Sequence, residues 1–208
     1  MNKKIGKFSS ATNVVAVIGF ALAMLVGSNF WSYLSSIFIA FSFMPMMCAY
    51  AYFSNKETKL AGIVAAGFAA MYAICNLIVY FTQITTVRMD TLTDQAANLL
   101  DFQRFGLFFN YDMLGYCLMA LATFFAGLTI APRSKADQWL KWLLLIHGVF
   151  AISCFILPLL GLFSPDMSGG EWIGTAVLLF WCVYFIPIGI LSGLHFSKKY
   201  EDGELILS

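Results

Sequence analysis

FFNYDMLGYCLMALATFFAGLTI, residues 108–130, holds one formal charge, Asp112. The rest of the stretch is almost wholly apolar. At a rise of about 1.5 Å per residue, roughly 20 such residues cross a bilayer as a helix. Barrel strands would alternate apolar and polar positions over about 10 residues, and this stretch does not alternate. It reads as a transmembrane helix, which leaves its one carboxylate to be explained.

Five similar runs surround it. With the span at 106–130, runs at 11–29, 31–53, 60–82, 139–163 and 172–195 predict an all-α polytopic membrane protein. Its 208 residues form one bundle of six transmembrane helices joined by short loops. Composition points the same way: 61% of residues are hydrophobic and 11% are charged, against about 25% charged in soluble domains. There is too little charge to cover a water-facing surface. A net charge of +1 excludes nucleic acid as an expected partner.

The basic residues set the expected orientation. Lys3, Lys4, Lys7, Lys56, Lys59, Arg133, Lys135, Lys141, Lys198 and Lys199 fall on one side of a six-span layout, and Arg88 and Arg104 on the other. The positive-inside rule then places both termini in the cytoplasm of a multi-pass cell-membrane protein. The lack of an N-x-S/T sequon fits a bacterial cytoplasmic membrane. The start, MNKKIGK, has the outline of a signal peptide with a cleavage site after Ala21-Leu22-Ala23. However, Met24-Leu25-Val26 prolong the apolar run where polar residues belong, so an uncleaved first span is expected.

Local signals mark the span ends. Ser54-Asn-Lys-Glu57 and Ser168-Gly-Gly-Glu171 match the S-x-x-E capping box, and Ser134-Lys-Ala-Asp137 is a variant of it. Trp31, Tyr33, Tyr80, Tyr111 and Trp172 read as one aromatic belt, and Trp139, Trp142 and Tyr200 as the other. Small residues at four-residue spacing predict close helix packing inside the bundle: Gly19, Ala23 and Gly27; Gly62 and Ala66, with Ala65 and Ala69; Gly189 and Gly193. The same stripes offer a surface for a homodimer or another membrane protein. The longest connection, 83–105, places Ala96, Leu99 and Leu100 at helical spacing and reads as an interfacial helix. It divides the chain into two three-span halves, a weak trace of the inverted repeats found in transporters.

Polar residues within the spans are the functional candidates, because each carries a cost in lipid. An ionised Asp at a span centre costs about 2.5–3.5 kcal/mol on insertion scales. Asn76 lies at a similar depth to Asp112. Asn110, Tyr111 and Tyr116 are its neighbours in sequence, and Arg104 and Gln83 sit at the rim. Asp112 is therefore a structural partner of Arg104 or Arg88, an acceptor from Asn76 or a tyrosine, a proton or cation site, or a substrate contact. His147 on the fifth span is a relay candidate or a neutral histidine satisfied by its neighbours. It enters from the other side, so direct contact with Asp112 is not expected. His195 is expected to snorkel at the interface. Pro45, Pro158 and Pro187 each remove a backbone hydrogen bond within a span and are candidate hinges.

Cys48, Cys75, Cys117, Cys154 and Cys182 lie one to a span with no CxxC pair, and read as core residues. There is no H-E-x-x-H, G-x-S-x-G or P-loop motif, and no His/Cys set with metal spacing. No catalytic residue, metal or cofactor is expected. The sequence leaves two functional readings: transport of a small solute or ion around a buried carboxylate, or an accessory, immunity or sensor protein that acts through helix contacts.

Overall fold

The computed structural model describes residues 1–163, 170–197, 200–201 and 204–205. Its helices are α1 (Asn2–Leu25), α2 (Asn29–Phe53), α3 (Lys59–Ile84), α4 (Asp94–Leu100), α5 (Leu107–Leu128), α6 (Lys135–His147), α7 (Phe150–Leu159) and α8 (Gly170–Ser197). Six helical segments are long and apolar enough to span a membrane, with α6 and α7 together forming the fifth. The chain is an all-α multi-pass membrane protein.

The spans form a ring. Each packs on its neighbour in sequence, from α1 to α2, α3, α5 and the α6–α7 span, and α8 closes the ring against α6 and α1. Phe196, near the end of α8, lies against Gly6, near the start of α1. The start of α1 and the end of α8 therefore share one face, here termed the terminal face. The interior is largely apolar: Phe43, Met46, Tyr72, Met119 and Phe185 are buried in one cluster.

α1 begins nine positions before the expected 11–29 span. Lys3, Lys4 and Lys7 are too polar for an apolar window, yet the helix runs through them. Its early hydroxyls are satisfied within the helix, since Ser9 Oγ and Ser10 Oγ both donate to the Gly6 carbonyl. It ends in a Schellman turn. Gly27 takes a φ of +69°, Gly27 N–H donates to the Met24 carbonyl, and Ser28 N–H donates to the Ala23 carbonyl.

The caps resolve unevenly. Ser134 behaves as expected: its Oγ accepts from Asp137 N–H at 3.2 Å and donates to Asp137 Oδ2 at 2.9 Å. Ser54 does not. It ends α2, and its Oγ donates to the Ala51 carbonyl. The turn into α3 is held instead by Asn55 Oδ1, which accepts from Thr58 N–H at 2.9 Å. Ser168 lies outside the described residues.

The small-residue stripes do pack within the ring. A Cβ at Gly62 would lie 2.7 Å from Ala51 Cα, and one at Gly189 would meet Val14. Ala23, Ala65 and Ala69 are buried. Trp31, Trp139, Trp142 and Trp172 are exposed. The connection 83–105 holds the short helix α4, capped by Thr93 Oγ1, between two 3-10 turns.

None of the three prolines ends its helix. The fifth span instead breaks at Gly148-Val149, well before Pro158. There the N–H groups of Gly148 and Val149 bond three residues back, to Leu145 and Ile146. A Cβ at Gly148 would lie 2.8 Å from Phe124 Cβ, so only glycine lets the break rest on α5. Beyond the break α7 leans on α5 and makes little contact with α8.

Candidate functional site

On α3, Tyr72, Asn76 and Tyr80 recur every four residues and so share one face. On α5, Asp112, Gly115 and Tyr116, at i, i+3 and i+4, also share a face. These two faces meet. Asn76 is fully buried and Asp112 is 2% exposed. Asn76 Nδ2 donates to Asp112 Oδ1 at 3.0 Å. The Tyr80 hydroxyl lies near the Asp112 carboxyl and 3.4 Å from the Tyr116 hydroxyl. Asn76 Oδ1 has no hydrogen-bond partner. It packs on Gly115, where a Cβ would collide with it, so its contact there is the weak Cα–H···O kind.

The expected arginine partners are elsewhere. Arg104 Nη1 donates to Asn98 Oδ1 at 2.9 Å, and Arg104 Nη2 lies 3.7 Å from Asp94 Oδ1. Arg88 sits 4.8 Å above the Phe30 ring. The turns before α5 direct these side chains along the surface. Among the described residues Asp112 is in no ion pair. Asn110 is exposed and stands apart from the cluster. Tyr80 and Tyr33, read from the sequence as belt residues, pack inward: Tyr80 is 3% exposed, and its ring stacks on Tyr33 at 5.6 Å.

A cavity of about 200 Å³ opens on the far face beside this cluster, with Phe30, Tyr33, Gln83, Arg88 and Asp101 among its lining residues. Gln83 braces it. Its Nε2 donates to the Leu100 carbonyl at 2.8 Å and its Oε1 accepts from Phe102 N–H at 3.0 Å. One buried side chain on α3 thus pins the segment that follows α4. Tyr33 lines the cavity and stacks on Tyr80, so these two rings stand between the cavity and the carboxyl.

His147 forms a separate site. The Trp181 indole can only donate, so its 3.0 Å bond makes His147 Nε2 an acceptor. Thr123 Oγ1 donates to the Ala120 carbonyl. His147 Nδ1, 2.8 Å from that oxygen, must then be the donor. Every polar atom in the chain from Trp181 to Ala120 is satisfied by a neutral Nδ1–H imidazole. Between His147 and Asp112 stand Trp181 and Tyr116, in edge contact at 5.8 Å.

At the terminal face His195 does not reach for solvent. It is buried, its Nδ1 lies 3.0 Å from Asp137 Oδ1, and its ring stacks on Tyr50 at 5.9 Å. The Tyr50 hydroxyl meets Ser192 Oγ at 2.6 Å. The sequence marks Asp137 only as a cap; in the fold it also ties α6 to α8. The five cysteines are unpaired, and the described residues contain no group of His, Cys, Asp and Glu able to hold a metal. Compared with protein-family profiles, curated proteins and solved structures, the chain matches none.

Proposed function

We propose that the protein is a carrier of a small solute or ion in the cell membrane, with its terminal face in the cytoplasm and Asp112 as its polar centre. The observation that carries this reading is a buried carboxylate with no counter-cation. Such a group is costly to hold in a bundle and adds nothing that an apolar residue would not supply more cheaply. The cavity on the far face, whose wall residue Tyr33 stacks on Tyr80, marks the side from which a solute would approach. The break at Gly148, with α7 held mainly by α5 and only lightly by α8, provides a hinge within the fifth span. The test is flux: purified protein in proteoliposomes, under an imposed pH or solute gradient, conducts, and Asp112→Asn does not. A conducting Asp112→Asn protein overturns the reading. Orientation is checked by reporter fusions within 54–59 and within 86–100; a cytoplasmic reporter should be active in the first and silent in the second.

A second reading rests on the apolar interior. Phe43, Met46, Tyr72, Met119 and Phe185 close the centre of the ring, as suits an accessory or sensor protein that works through its lipid-facing helices. A stoichiometric membrane partner retained through purification, with no flux in vesicles, would favour it.

A further inference from the structure

Charged groups buried without compensation are neutralised either by a metal cation or by a proton. The geometry around Asp112 distinguishes the two. A cation would need several oxygens converging on the carboxylate. Asn76 instead turns its nitrogen towards Asp112, in direct contact at 3.0 Å. Its free oxygen is pressed on Gly115, where even a methyl group would collide. The titratable groups facing the carboxyl are Tyr72, Tyr80 and Cys75 from α3, Tyr116 from α5, Tyr33 from α2 and Cys154 from α7. None of them is a cation.

We infer that Asp112 is a proton-binding site, and that the proton it takes up reverses a chain of hydroxyls through Tyr80 and Tyr116. With the carboxyl ionised, Tyr80 donates its O–H to Asp112 and accepts from Tyr116. When a proton arrives from water, an O–H bond forms on the carboxyl. The hydronium that delivers it becomes water, and no electrons are exchanged. The new O–H donates to the Tyr80 oxygen, and Tyr80 turns its own O–H to Tyr116. The Asn76 amide donates to the other carboxyl oxygen in both states. Between the two states the carboxyl, Tyr80 and Tyr116 oxygens can keep their places, because only the O–H bonds turn. The reversal ends at Tyr116, because its ring meets Trp181 only edge-on and the Trp181 N–H is already given to His147.

This deepens the carrier reading by naming its ion, but its test needs no flux. Infrared difference spectra of the purified protein are recorded from about pH 5 to about pH 9, the range that brackets a buried carboxyl. The expected result is a protonated-carboxyl C=O band that fades as pH rises and is absent in Asp112→Asn. Exchanging sodium for potassium should leave it unchanged. In Tyr80→Phe, which keeps the ring stack and removes the hydroxyl, the band should persist at a shifted frequency. If Asp112→Asn does not assemble, Asp137→Asn gives the answer instead, because Asp112 then remains as the deeply buried carboxyl among the described residues. Absence of the band at every pH, or a carboxylate signal that follows the cation, overturns the proton site. A band unmoved in Tyr80→Phe overturns the hydroxyl chain. A titrating band in a protein without flux would keep the site and remove the carrier.

Discussion

Gly115 of α5 sets the position of Asn76 on α3. The amide oxygen rests where a Cβ would stand, and only from there does the amide nitrogen reach Asp112. Gly115→Ala should therefore push Asn76 aside, break its bond to the carboxyl and lower stability by about 1–3 kcal/mol through overpacking. Gly67→Ala, at a helical position with nothing within 4 Å, should melt at or above the wild-type temperature. Thermal unfolding of the two variants in detergent checks the pair; equal melting temperatures would contradict the packing.

Asp112 and Arg104 should act independently. Because Arg104 is engaged with Asp94 and Asn98, the stability effects of Asp112→Asn and Arg104→Gln should add to within about 0.5 kcal/mol. A double-mutant cycle measures this, and a larger coupling would place the guanidinium at the carboxyl after all.

Trp181→Phe should keep most of the ring packing and leave His147 Nε2 without its donor. The expected cost is about 1–3 kcal/mol, that of a buried polar atom with no partner. His147→Phe in the same background should recover part of it, since both partners are then apolar. Melting curves of the single and double variants decide this; no recovery would mean that the tryptophan contributes only its shape.

Gln83→Leu removes both bonds that hold the segment after α4. Hydrogen exchange at residues 94–104 should accelerate, while exchange within α2 and α3 stays slow. Protection unchanged over 94–104 would show that the aromatic contacts of Phe102 suffice.

The Asp137 carboxylate accepts from Ser134 Oγ, the cap of α6, and meets His195. Asp137→Ala should cost about 2 kcal/mol or more, combining the lost return bonds of the capping box with a buried imidazole left short of a partner. Ser134→Ala, which removes the cap alone, should cost less. Reversal of that order in thermal melts would put the energy in the cap.

The spans were legible because lipid imposes a simple rule, and unbroken apolar length satisfies it. What the sequence hid depends on contacts between helices. The break at Gly148 looks like any tolerated glycine until Phe124 is placed against it. Asp112 and Asn76 stood out as polar residues in apolar runs. Tyr80 and Tyr33 did not, because a tyrosine near a span end reads equally as a headgroup anchor. Arg104 was drawn to the wrong acid because charge alone carries no direction, and the turns after α4 supply it. His195 was placed at the interface by its depth, whereas its partner Asp137 was visible only as a cap.

The closure of α8 on α1 has a consequence for how the chain is strung. Gly6 and Phe196 touch, and every other span packs beside the one that precedes it. The cyclic order of the helices therefore carries the architecture, and the point at which the cycle is cut is arbitrary. Joining the ends with a flexible tether at the terminal face and reopening the backbone in the turn at 54–58, on that same face, would give a circular permutant. It would begin with α3, end with α2 and keep every span in its present direction.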